Sequence, residues 1–294
     1  VRMPPMDTSS GTGILEIQRE FVTVDGIQVG YLLTGSGPPL LLVHGFGEFI
    51  ETWAYNIDAL SKHFTVCAFD LPGHGLSQQP PEDYTLDFSM GIVTSLMTAL
   101  GIRRASLIGR SMGGPLCFCL AADYPDRADR LVLVSSGGFS DRVPLPYRLA
   151  MLPILGDLFL GPSVLVNDTT VKLAMRRQFH NPDSIPEEWV HTATRYFKMP
   201  HRNAMVRNVV RSNASLTSSK PKTGVFGRLP LVKAPTLIVH GLQDGLVPAQ
   251  QAKEAAGILP GAELMLLDEC GHNPQIEKAP DFNESVLAFL RRDT

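Results

Sequence analysis

One run constrains this chain more than any other: Ser106-Leu107-Ile108-Gly109-Arg110-Ser111-Met112-Gly113-Gly114. Arg104 to Ile108 reads as a short strand, and Met112 to Tyr124 as a helix with Pro125 just past its end. Between them lies Gly-x-Ser-x-Gly, a sharp turn whose glycines let strand and helix pack closely. Such a turn lifts the Ser111 hydroxyl clear of the backbone at the carboxyl end of a strand. A serine hydroxyl attacks poorly until a base takes its proton. Five-residue patterns also arise by chance. The turn therefore makes a demand on the rest of the chain: a histidine and an acid must follow in suitable loops.

The surrounding pattern is that of an α/β protein. Phe21–Val24 and Ile27–Leu33 flank Asp25-Gly26, which predicts an opening hairpin. Leu40 to His44 is a continuous apolar run, as expected of a strand buried on both faces. Further strands are predicted over 64–69, 131–134, 236–240 and 262–267, with helices near 53–62, 88–100, 249–259 and 281–292. Alternating strands and helices call for a mostly parallel central sheet covered on both faces. Residues 139–228 break the rhythm: prolines recur from Pro144 to Pro200 and no buried-strand run appears. This is too long for a structureless loop, and it predicts an inserted helical cap. The core is then 21–138 and 229–294, with 1–20 expected to be a flexible N-terminus.

His272 is the best base. It follows the strand ending at Leu267, between Gly271 and Asn273-Pro274, in a loop at a strand's carboxyl end. Of the other histidines, His63 and His74 precede the turn, and His180, His191 and His201 fall in the insertion. His240 ends a strand, where it could orient the loop of the acid. Asp244 follows that strand and is the expected acid, with Asp141 and Asp268 as rivals. Its plainer role is turn formation beside Gly245. The order Ser, Asp, His suits this kind of turn. The oxyanion needs N–H donors, expected from the main chain of Met112 and Phe46. Phe139, Leu145, Leu149, Leu152 and Val247 are expected to line the substrate site, although each could equally pack cap on core.

Composition excludes other classes. The net charge is −3 and no basic block of five or more occurs, which argues against nucleic acid as a partner. No apolar stretch of 18 residues predicts membrane insertion. The first residues lack the apolar core of a signal peptide, so a cytoplasmic location is expected, with a removed leader left open. Cys67, Cys117, Cys119 and Cys270 form no Cys-x-x-Cys, and free buried thiols are expected. No metal site and no cofactor are expected. The partner is a small-molecule ester or related acyl substrate, and a homodimer is left open.

With these residues placed, the chain resembles serine hydrolases of the α/β-hydrolase family. The resemblance rests on His44-Gly45-Phe46-Gly47, Asp70-Leu71-Pro72-Gly73-His74-Gly75, the Ser111 turn, Asp244 to Pro248 and Gly271-His272. It implies an α/β-hydrolase fold with a Ser111–Asp244–His272 triad, and it makes Asp70 to Gly75 a structural turn near the site. Serine at the turn disfavours the epoxide hydrolases and haloalkane dehalogenases of the fold, which attack with aspartate. Carboxylesterase activity is the expected function. The alternative is the carbon–carbon hydrolases of ring-fission diketo acids, to which Gly271 to Asn283 and Ser111 to Gly114 are similar. That group has asparagine before the serine and tryptophan after the histidine, where this chain has Arg110 and Asn273. The resemblance also implies a cap arginine for a substrate carboxylate, from Arg195, Arg202, Arg207 or Arg211. A non-catalytic, ligand-binding member of the fold is the third alternative.

Overall fold

The structure, a computed structural model, describes residues 15–80, 84–140, 166–213 and 224–292. The chain opens with β1 (Glu20–Val24) and β2 (Ile27–Gly35), joined at Asp25 (φ 48°) and Gly26 (φ 77°). Both turn residues are left-handed, as a tight two-residue hairpin requires. Then follow β3 (Pro39–Val43), α1 (Ile57–Ser61), β4 (Thr65–Phe69) and α2 (Leu86–Ala99). Thr85 caps α2 by accepting from the Phe88 N–H. Next come β5 (Ala105–Arg110), α3 (Gly113–Asp123) and β6 (Ala128–Val134).

Three helices occupy the described part of the insertion: α4 (Asp168–Met175), α5 (Glu187–Phe197) and α6 (Arg202–Asn213). The chain returns through β7 (Thr236–Gly241), α7 (Ala249–Ile258), β8 (Glu263–Leu267), α8 (Pro274–Glu277) and α9 (Ala279–Leu290).

The strands form one eight-stranded sheet in the order β1-β2-β4-β3-β5-β6-β7-β8. β2 pairs antiparallel with β1 and β4, and every pair from β4–β3 to β7–β8 is parallel. Along β3, Leu41 and Val43 enter one core cluster with Leu96, Leu116 and Phe118, while Leu40 and Leu42 enter another with Trp53, Phe282 and Phe289. Successive residues feed opposite faces, so the continuous apolar run is a strand covered on both sides. Each such side chain contributes about 2 kcal/mol on burial.

Strand order reverses between β3 and β5, which opens a crevice at their carboxyl ends. Helices α4 and α5 lie over this end: Val171, Met175, Trp189 and Tyr196 cluster with Phe49 and Ile276 from the loops below.

Two expectations change. Residues 15–20 are not loose. Leu15 N–H donates to Thr192 (2.9 Å), and Arg19 is buried in ion pairs with Glu51 (2.6 Å) and Asp70 (2.7 Å). The helix predicted over 53–62 is instead a 3-10 turn at Ile50–Trp53 followed by the short α1; Ile50 N–H, at the start of the turn, donates to the buried Asp70 (2.8 Å).

Candidate active site

β5 ends in the turn that carries Ser111. Its backbone is left-handed (φ 50°), a costly conformation for a residue with a Cβ. The turn is held on both sides: Ser111 N–H donates to Val134 (2.9 Å), and Ser111 C=O accepts from Gly114 (3.1 Å) and Gly137 (3.0 Å). A Cβ on Gly113 would lie 2.4 Å from the Val43 carbonyl oxygen and 2.6 Å from that of His44. Only glycine lets α3 start this close to the loop after β3.

His272 is 2% exposed on the loop between β8 and α8. Its Nε2 is 3.1 Å from Ser111 Oγ and its Nδ1 is 2.7 Å from Asp244 Oδ2. The ring thus presents an acceptor to the serine while donating to the acid. Burial lowers its pKa, and the nearby Arg110 charge works the same way against Asp244. A neutral ring is therefore favoured.

Asp244 sits in the turn after β7. Burial alone would raise its pKa, yet hydrogen bonds from His240 and His272 hold the carboxyl well below the usual range. Oδ1 accepts from the N–H groups of Leu246 (2.8 Å) and Val247 (2.9 Å). His240 Nε2 donates to the Val247 carbonyl (2.8 Å) and stands 3.2 Å from Asp244 Oδ2. His240 thus braces the acid's turn.

The loop after β3 runs directly against the nucleophile, since a Cβ on Gly45 would come within 3.0 Å of Ser111 Cβ. Among the described residues, neither Phe46 N–H nor Met112 N–H has a protein acceptor. His44 fixes this loop: Nδ1 donates to Gly45 C=O (2.8 Å) and Nε2 accepts from Leu71 N–H (3.0 Å). Asp70 accepts from Ile50, Leu76 and Arg19, so its turn is structural.

The remaining candidates fall differently. Asp268 is tied to Gln243 and its own neighbour, not to His272. Phe139 is placed in the core, stacked 6.4 Å from Phe118. Leu145, Leu149, Leu152 and Asp141 lie outside the described residues. Val247 belongs to the acid's turn. The wall that the structure does show beside Phe46 and Met112 comes from Tyr84 and from Met205, Val206 and Val209 of α6. Their spacing of one and three marks a helix face, a signal present in the sequence. Arg202 lies 4.4 Å over the Phe197 ring and lines a small cavity with Gly47, Phe49 and His74, whereas Arg195 pairs with Glu16 at the surface. The four cysteines are buried and free. Among the described residues no cluster suits a metal ion, and no helix is long and apolar enough to cross a membrane.

A family model described as alpha/beta hydrolase fold matches residues 38–279. The chain belongs to the α/β-hydrolase fold family. This α/β-hydrolase is 33% identical, over 92% of its length and 94% of the relative's, to a 2-hydroxy-6-oxononadienedioate/2-hydroxy-6-oxononatrienedioate hydrolase of Burkholderia vietnamiensis. Among solved structures it is similar to a meta-cleavage product hydrolase of Pseudomonas fluorescens, with 25% identity, TM-score 0.77, and 92% and 97% of the two chains covered. It is also similar to an enol-lactonase of Burkholderia xenovorans, with 25% identity, TM-score 0.75, and 93% and 100% covered.

Proposed function

We propose that this α/β-hydrolase is a serine hydrolase that cleaves the carbon–carbon bond beside a ketone in an open-chain hydroxy-oxo-diene acid. The observation that carries the serine chemistry is His272 held between Ser111 and Asp244 at 3.1 and 2.7 Å. The choice of bond is supported by the relative that is 33% identical over nearly its whole length. It replaces simple ester hydrolysis as the first reading.

His272 takes the Ser111 proton as Oγ adds to the ketone carbonyl. The N–H groups of Phe46 and Met112 hold the resulting oxyanion. The carbon–carbon bond then breaks. For this the bound substrate must first be in its 2-oxo tautomer, with the 2-hydroxyl proton moved to the carbon beside the ketone. The electron pair of the broken bond then passes through the enone as a dienolate, and His272 returns the proton to that fragment as the 2-hydroxy-diene acid. Water activated by His272 hydrolyses the acyl-enzyme, so one water is added across the bond overall. Of the four candidate cap arginines, Arg202 is the one we assign to a carboxylate end, because it lines a small cavity with Gly47 and Phe49 of the loop that follows β3.

Ester or lactone hydrolysis is the second reading, favoured by the enol-lactonase likeness. It needs the same residues and differs only in that His272 protonates an alkoxide. A parallel turnover screen separates them: ring-fission diketo acids against short and long acyl esters and lactones. Turnover of esters alone would displace the carbon–carbon reading. Ser111→Ala is expected to lose turnover by about 10⁶-fold. Retention of more than about a hundredth of the activity would remove Ser111 from the mechanism.

A further inference from the structure

Arg110 precedes the nucleophile at the last position of β5, and it is 1% exposed. A guanidinium loses much solvation there, and burial lowers its pKa. Its donors fork between two loops. Nη1 donates to Glu48 Oε1, while Nη2 donates to Asn273 Oδ1 at 2.5 Å and to the His272 carbonyl at 3.3 Å. Glu48 Oε2 in turn accepts from Gly45 N–H at 2.8 Å and closes the turn that carries Phe46. A Cβ on Gly45 would lie 2.8 Å from Arg110 Nη1, so this turn packs directly on the guanidinium. On the other side, Asn273 Nδ2 donates to Gln178 C=O at 3.0 Å, which anchors the base loop to the segment after α4.

We propose that the Arg110–Glu48 pair is a positioning clamp that fixes the loop of Phe46 and the loop of His272 in register with Ser111. It rests on the reading of Ser111, His272 and Asp244 as the hydrolytic centre. The pair acts through the two loops rather than on the substrate. A planar fork holds two acceptors at a set separation, which lysine, a point charge on a flexible stem, does not. The charged and titratable groups around His272 are Asp244 and His240 on the β7 side, Arg110 on β5, Glu48 on the Phe46 loop, and Glu277 with His180 beyond the base loop. Arg110 opposes protonation of the ring, so its charge and its fork have separable signatures.

The test measures turnover of a p-nitrophenyl ester across pH, per site titrated with a fluorophosphonate, for the unaltered chain, Arg110→Lys, Arg110→Met and Glu48→Gln, and per mole of protein for Ser111→Ala. Arg110→Lys keeps the charge and loses the fork. It is expected to cut kcat per titrated site by about 10- to 100-fold with the acid limb of the pH profile unmoved. Arg110→Met is expected to show a similar loss with the acid limb moved to higher pH. Glu48→Gln covers the case in which the methionine variant does not fold, and is expected to lose kcat comparably. A merely stabilising pair would lower Tm and the number of titrated sites while kcat per site stayed unchanged, and that result overturns the clamp but not the Ser111 assignment. An unaltered chain that takes no fluorophosphonate and turns over neither the p-nitrophenyl ester nor a ring-fission diketo acid overturns both.

Discussion

Ser111 and His272 reach their positions by different physical means. Ser111 is forced into a left-handed backbone by the close approach of β5 and α3, a strain of about 1–3 kcal/mol that the surrounding hydrogen bonds offset. His272 is instead selected by its electrostatics. Burial and Arg110 favour the neutral ring, and Asp244 aligns it. A base must be unprotonated to act, so the acid limb of kcat/KM is expected below the ordinary histidine value of about 6.5. A pH profile on any accepted ester checks this, and a limb above about 7 would contradict the balance of charges described. The sequence already carried Ser111, Asp244 and His272 as candidates, because each sits at a strand end beside glycine or proline. Arg110 and Asn273 stood out only as unusual neighbours of the serine and histidine. Their hydrogen bond joins positions 163 residues apart, and no local pattern encodes it.

At the scale of elements, the parallel strands were legible because burial on both faces leaves continuous apolar runs such as 40–43 and 236–239. Their ends were less so: β6 begins at Ala128 rather than 131, with Arg130 buried against Phe289. Helix α8 was missed, since four residues opened by a proline carry no period. It matters nonetheless, because Glu277 at its end accepts from Gly271 and Asn273 and so shapes the base loop. The junction of α3 with the Phe46 loop depends on Gly113. Gly113→Ala places a methyl against two carbonyl oxygens at 2.4 and 2.6 Å. We expect a loss of about 2 kcal/mol and a Tm lower by roughly 4–8 °C. Unchanged thermal unfolding would mean that α3 can retreat from β3 freely.

For the whole molecule, buried histidines set the response to acid. His44 and His74 lie 5.2 Å apart, fully buried, with pKa values pushed down to about 4 and about 3 mainly by burial. A second proton on His44 would also displace the Leu71 N–H from Nε2. Both rings protonate near pH 6.5 once the chain unfolds. Their contribution is thus complete above that pH and is lost as pH falls from 6.5 towards 4. Asp244, held low, adds stability that disappears only below the usual aspartate range, near 3.8. Urea unfolding at pH 7.5 and 5.5 is expected to differ by about 3 kcal/mol from the two histidines alone. Equal stabilities at the two pH values would show that the His44–His74 pair is not held neutral.

The chain leaves the sheet at Val134 and rejoins it at Thr236, on the neighbouring strand and in the same direction. Everything between is one excursion from adjacent points of a rigid frame, while Ser111, Asp244 and His272 are encoded outside it. Such an arrangement behaves like a socket. A cover exchanged at the two strand ends must keep two contacts that aim the triad: Gly137 N–H to Ser111 C=O (3.0 Å), and the Gln178 carbonyl that accepts from His272 N–H (2.7 Å) and Asn273 Nδ2 (3.0 Å). Libraries confined to this excursion, with Gly137 and the Gln178 segment held fixed, would vary what is admitted while Ser111, Asp244 and His272 stay as they are.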